Sequence, residues 1–371
     1  MTTDPERAAE EAPSPVVARF EIRRLQYLDR EGHALAALPP WAQEPSALVA
    51  MYRAMVLTRT FDAKAIALQR TGRLGTYASS LGQEAVAVGL AAAMREDDVL
   101  VPSFREHGAQ LWRGVSPVEL LLFWGGDERG SDYAGPRQDF PVSIPIGSHA
   151  PHAAGVALGL QLRGGKRAAV CVLGDGATSK GDFYEALNIA AVWKLPVVFV
   201  VNNNRWAISV PRDRQSAART LAQKAIAAGC DGIQADGNDV VAVREAVARA
   251  LALADEGGGP SVVECETYRL SDHTTADDAS RYRDAAEVGE RWKDEPVLRL
   301  RKHLGERSAW SPDDERALLA ESARTLDEAA AAYLAHPPPS PGDMFDHLFA
   351  RLPAALRAER KAVTDTDTRD A

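Results

Sequence analysis

The chain reads as an α/β protein: a doubly wound parallel sheet with helices on both faces, extended by an N-terminal arm and a C-terminal helical region. Three observations predict this. Residues 168–173 (AAVCVL) and 195–201 (LPVVFVV) are short, continuous apolar runs bounded by turn residues, the pattern of parallel strands buried on both faces. Between them GDFYEALNIAAVWK has helical periodicity and makes a βαβ unit. A further helix, VVAVREAVARALALADE, then leads into a third strand, SVVECETY, and such alternation argues for a doubly wound sheet.

The remaining elements follow in order. Residues 1–16 are acidic and proline-containing and are expected to be disordered, as is the polar tail 363–371. Residues 17–69 form an arm and a helix. RFEIRRLQYLD reads as a short strand in the arm, and Pro39-Pro40 then breaks the chain. SALVAMYRAMVLTRTFDAKAIALQRTG has helical spacing and stops at Gly72. LGQEAVAVGLAAAM and PVELLLFWGG are two more helices. The central domain is expected over 70–285, and 286–362 reads as a charged helical extension interrupted at His336-Pro-Pro-Pro.

Bulk properties exclude several roles. Of 371 residues 46% are apolar and 26% charged, with a formal net charge of −9; nucleic acids and anionic membranes both demand a basic face. No apolar run approaches the roughly 20 residues of a membrane span. Cys171, Cys230 and Cys265 lie far apart without CxxC spacing, which predicts reduced thiols in a cytoplasmic protein. The N-terminus carries no signal-peptide pattern.

Gly174-Asp175-Gly176 closes the first strand and Asn202-Asn203-Asn204 closes the second. Successive parallel strands finish at the same sheet edge, where open α/β sheets bind ligands. A lone GDG is more often a turn with a capping Asp. Here the amide cluster arrives at the end of the very next strand. A carboxylate, an amide oxygen and a backbone carbonyl make half of an octahedral Mg²⁺ shell, and Mg²⁺ commonly takes phosphate oxygens for the rest. A Mg²⁺-bridged diphosphate is the natural ligand. Walker and GxGxxG patterns are absent around Gly164 and Gly174.

GDG followed by NN at this spacing resembles the thiamine diphosphate signature. The segment GDGATSKGDFYEALNIAAVWKLPVVFVVNNNRWAIS resembles the alpha subunits of the pyruvate and branched-chain 2-oxo acid dehydrogenase decarboxylases. The likeness extends through TGRLGTYASSLGQEA, SFREHG, ADGNDVVAV and TYRLSDHTTADDASRYR, covering nearly the whole chain. It implies the thiamine diphosphate-binding fold and an oxidoreductase that decarboxylates a 2-oxo acid, passing the acyl unit to a lipoyl group on a dihydrolipoyl acyltransferase. It further implies an alpha2-beta2 heterotetramer. In such enzymes the activating glutamate lies on a second α/β domain; the flanks here are too short and too helical to form one, so a beta subunit is expected to supply it.

The resemblance also assigns roles. Asp175, Asn204 and the backbone carbonyl of Trp206 would hold Mg²⁺. Arg105 would bind the diphosphate, with Phe104 beside it where many relatives have Tyr, and Gly176 and Ala177 would offer backbone N–H groups. Ile144 and Ile146 would lie along the aminopyrimidine. His273 would act at the reacting carbon, and His107 near the same mouth. Packing is the expected role of His149 and His152. In branched-chain relatives a segment like 143–149 holds a monovalent cation; His149 stands here in place of Gln. GRLGTYA, QKAIAAG and HTTADD favour pyruvate as substrate, and DDASRYRDAAEV also resembles branched-chain (2-oxoisovalerate) enzymes. A complete single-chain thiamine enzyme and a non-catalytic structural subunit are the rival readings.

Overall fold

The computed structural model describes residues 16–346 and 348–367; most of the two expected disordered tails lies outside them. Six strands form one parallel sheet: β1 (Arg23–Leu25), β2 (Val99–Val101), β3 (Ala169–Gly174), β4 (Val197–Asn203), β5 (Asp231–Asp236) and β6 (Ser261–Glu266), in the order β1-β5-β6-β4-β3-β2. The two apolar runs are the central neighbours β3 and β4. They are buried along almost their whole length, which is why they contain no alternating polar residues.

The pleat divides the core in two. Val170, Val172, Val198, Val200 and Val263 face one cluster with helices α1 (Pro45–Arg70), α2 (Glu84–Ala93) and α7 (Val240–Asp255). Ala169, Cys171, Leu173, Val197, Phe199 and Val201 face the other, with α5 (His149–Arg163) and α6 (Gly181–Val192). Helices therefore cover both faces. Helix α2 crosses α7 closely at Gly89, where a Cβ would come within 2.9 Å of Val243 Cγ1. Two shorter helices, α3 (His107–Trp112) and α4 (Pro117–Trp124), follow β2.

The expected arm strand is only three residues long, but it joins the sheet edge, Arg24 pairing with Gln234. Beyond β6, α8 (Pro296–Glu306) and α9 (Pro312–Leu334) pack on α1. Glu315 of α9 accepts from Tyr52 Oη at 2.7 Å and Trp310 Nε1 at 2.8 Å, tying the extension to the core. A last helix, α10 (Ala354–Asp367), corrects one expectation: residues 363–367 continue a helix where a disordered tail was predicted. Thr364 Oγ1 donates to the Arg360 carbonyl one turn back at 3.0 Å, so composition alone misplaced the boundary. Among the described residues no helix is long and apolar enough to cross a membrane.

Candidate active site

Register places the site. Gly174 pairs with Asn202 and Asn203 with Glu266, so the residues that follow β3 and β4 emerge side by side at the carboxyl edge. After β3 the chain makes a tight 3-10 turn over Asp175–Ser179, closed by Thr178 Oγ1 donating to the Asp175 carbonyl at 2.8 Å. Buried Lys224 donates to the Thr178 carbonyl at 2.6 Å and fixes the turn from behind. After β4, Arg205 and Ile208 take positive φ values of 68° and 56°, turning the chain into the small antiparallel hairpin of Trp206–Ala207 with Val210–Pro211. Gly176 lies against this hairpin: a Cβ there would stand 2.8 Å from Ala207 Cβ, so the close approach requires glycine.

The cleft so formed is lined by Phe104, Arg105, Ile146, Asp175, Gly176, Ala177, Asn204, Trp206 and His273 among others. All nine are sequence-predicted site residues. Asp175 is 2% exposed, and burial raises its pKa to about 6. Its Oδ2 accepts from Gln215 Nε2 at 2.6 Å. Asn204 Oδ1 accepts from the Trp206 peptide N–H at 3.2 Å, and its Nδ2 donates to Gln83 Oε1 at 2.9 Å. Asn202 and Asn203 have structural partners instead, Thr267 and Glu264. The Trp206 carbonyl accepts a long bond, 3.4 Å, from Arg269.

Arg105 is the cation of the cleft. Burial first, then the Arg269 charge, lowers its pKa to about 10, which leaves it charged at neutral pH. Nη1 donates to the Ser79 carbonyl, and Nη2 bonds both the carbonyl and the ring of His273. Phe104 packs edge-on to the His273 ring, centroids 6.1 Å apart, and has no hydroxyl to offer a ligand. Burial, then Arg105 and Arg269, lowers the His273 pKa to about 4, so the imidazole is neutral at pH 7.

Two predicted positions lie elsewhere. Ile144 is 50% exposed and is not part of the cleft wall; the turn at Pro145–Gly147 brings Ile146 and Gly147 to it instead. His107 does not reach the mouth. It is fully buried under the site, its Nε2 accepting from Trp124 Nε1 at 3.0 Å and its ring stacked on Tyr77. Burial, then the Arg105 charge, lowers its pKa to about 3. The first residue of a helix directed into the core cannot also face solvent. His149 is buried and bonds the Val172 carbonyl through Nε2 at 2.7 Å, anchoring α5 to β3.

Sequence reasoning missed the residues that support the site. Asp62 of α1 is buried and accepts from Ser79 Oγ at 2.8 Å, Ser80 N at 2.8 Å and Tyr77 Oη, holding the loop whose Ser79 carbonyl receives Arg105. Glu106 lines the cleft and is raised to about 7 by burial. Gln83 and Gln215 flank Asn204 and Asp175. The only sequence signal was polar residues inside apolar helices or beside quoted motifs; spacing gave no hint of their partners.

A carboxylate, an amide oxygen and a buried guanidinium thus converge on one cleft at the carboxyl edge of the sheet. The chain belongs to the dehydrogenase E1 component family, whose profile matches residues 52–341. It is 42% identical over 312 residues to the 3-methyl-2-oxobutanoate dehydrogenase subunit alpha of Mycobacterium tuberculosis, covering 84% of this chain and 85% of that one. It is 36% identical over 348 residues to the pyruvate dehydrogenase E1 component subunit alpha of Bacillus subtilis, covering 93% of both chains. The Staphylococcus aureus protein of the same name is 40% identical over 305 residues, covering 81% of each.

Proposed function

We propose that this chain is the alpha subunit of a thiamine-diphosphate-dependent 2-oxo acid dehydrogenase, and that the cleft at the carboxyl edge holds the cofactor's diphosphate with Mg²⁺. The carrying observation is the convergence of Asp175, Asn204 and Arg105 on one cleft. The donor set fits the group. Among the described residues no cluster of three or more His, Cys, Asp or Glu is arranged for a metal ion, so a cation at Asp175 and Asn204 needs oxygens from its ligand, as Mg²⁺ with a diphosphate does. Gly176 lets the turn after β3 lie directly against the Trp206–Ala207 hairpin, where a Cβ would stand 2.8 Å from Ala207 Cβ, so the two walls of the cradle stay close together.

Thiamine diphosphate, when bound, supplies the electron sink for loss of CO₂ from a 2-oxo acid. The chain's own residues do the rest. Asp175, Asn204 and the Trp206 carbonyl would hold the metal, and Arg105 would neutralise phosphate charge. Neutral His273, steadied by Arg105, stands ready to donate or accept a proton at the reacting end. The acceptor of the acyl unit would be the lipoyl group of a dihydrolipoyl acyltransferase. The relatives are named as alpha subunits, which supports a beta-subunit partner in an alpha2-beta2 assembly.

Pyruvate is the favoured substrate on the motifs GRLGTYA, QKAIAAG and HTTADD. The 42% identity to a 3-methyl-2-oxobutanoate enzyme favours the branched-chain reading. The two substrates differ by a few methylenes, worth about 1–3 kcal/mol of discrimination. Steady-state rates of the reconstituted alpha–beta pair with pyruvate and with 3-methyl-2-oxobutanoate test both: a higher kcat/KM identifies the substrate, and no turnover of either overturns the function.

A further inference from the structure

Gln83 is the residue immediately before α2, and its side chain does not cap that helix. It is 1% exposed and lines the cleft beside Asn204 and Asp175. The hydrogen-bond chain fixes which way its amide faces. The peptide N–H of Trp206 can only donate, so the Asn204 atom facing it at 3.2 Å is the oxygen. The other Asn204 atom is then the NH₂ group, and the Gln83 atom receiving it at 2.9 Å must be Oε1. That leaves Gln83 Nε2, a buried double donor, with no partner among the described residues.

An unmet buried amide costs about 1–3 kcal/mol, so such a group in a binding cleft calls for an acceptor from outside the chain. The neighbours decide the kind of acceptor. Asp175 and Asn204 Oδ1 supply oxygens to a cation, while Arg105 supplies charge to an anion. Resting on the diphosphate reading above, we propose that Gln83 is a cofactor-recognition residue. Its Nε2 donates to a diphosphate oxygen, while its Oε1 holds the Asn204 amide so that Oδ1 is presented to the metal. One carboxamide thereby couples the metal ligand to the anion it bridges.

The test uses the assembled alpha–beta enzyme and calorimetric titration with thiamine diphosphate in the presence of Mg²⁺, and with unphosphorylated thiamine. Gln83→Glu keeps an acceptor for Asn204 but exchanges the free donor for a negative charge. The expected result is a roughly 10- to 100-fold loss of thiamine diphosphate affinity, a raised Mg²⁺ requirement, and thiamine binding within about twofold of wild type. Melting curves are recorded alongside. Should that variant fail to fold, Gln83→Met makes the same comparison, with a loss of at least about tenfold expected. Wild-type affinity for thiamine diphosphate in either folded variant overturns the assignment. Failure of the wild-type enzyme itself to bind thiamine diphosphate would instead overturn the cofactor reading, which keeps the two outcomes separate.

Discussion

Arg105 grips His273 twice, with Nη2 donating to the backbone carbonyl at 2.7 Å and to ring Nδ1 at 3.0 Å. A guanidinium cannot accept, so Nδ1 must, and the ring proton therefore sits on Nε2. Burial and the charges of Arg105 and Arg269 keep the ring neutral down to about pH 4.

This sets a first expectation. Nitrogen NMR of the labelled protein should report a neutral Nε2–H imidazole for His273 at pH 7. A charged ring, or the opposite tautomer, would contradict the Arg105 contact. His273→Ala should leave thiamine diphosphate affinity near normal, because the Arg105 contact with the backbone carbonyl survives, and should reduce overall turnover by roughly 10²–10⁴.

Asp175→Ala should abolish Mg²⁺-dependent thiamine diphosphate binding without unfolding the chain. Its carboxylate sits at the sheet edge, where its side-chain partner within the protein is Gln215. Calorimetry showing wild-type affinity for this variant would remove Asp175 from the metal site.

His107 separates stability from chemistry. His107→Ala should cost about 2–4 kcal/mol through the cavity and the unpaired Trp124 Nε1, while kcat per folded molecule stays close to wild type. His107→Gln adds a test of pH dependence. The folded-state pKa is depressed to about 3, whereas the unfolded ring titrates near its ordinary value of about 6.5. The unfolded state therefore takes up the proton first. Wild type should lose stability relative to the Gln variant as pH falls from about 6.5 toward 3, by up to about 1.4 kcal/mol per pH unit. Above that window the difference between the two should be flat. The buried acids occur in both proteins, so denaturation curves of the pair isolate the histidine.

The partner reading predicts that the purified chain alone decarboxylates no 2-oxo acid when assayed with an artificial electron acceptor. Adding a beta subunit should switch the reaction on and bury well over ~2,000 Å² of interface. Helix α5 is the candidate surface for that contact, because its exposed residues Pro151, His152 and Gly155 face outward, whereas α2 is almost entirely buried within this subunit. Robust activity without a second polypeptide would refute the assembly.

The parts of the fold that were legible in sequence are those with a strong one-dimensional signal. Strands β3 and β4 announce themselves because burial on both faces excludes polar residues for several positions in succession. Strand β5, DGIQAD, was not foreseen: its glycine and polar residues resemble a loop, and it is a strand because its backbone pairs with β6 on one side and β1 on the other, with Gln234 satisfied by Glu264 at 3.1 Å. Strand β2 is three residues long and too short for any period to register. At the site, Asp175 and Asn204 were readable because each ends a strand, whereas Gln83 meets Asn204 across 121 positions. His107 was misplaced because a motif fixes neighbours along the chain but not the direction in which a helix enters the core.

The edge strand β1 pairs with β5, Arg23 opposite Ile233 and Leu25 opposite Ala235. The arm thus leaves the ribosome some two hundred residues before its partner exists. During synthesis it must wait, its unpaired backbone exposed, while β2, β3 and β4 are made and begin to collapse. Contacts of such sequence separation are slow to form, and here one closes the sheet. Docking of the arm is therefore a late event in the birth of the molecule, and amide exchange pulsed onto nascent or refolding chains should find residues 23–25 protected after the central strands.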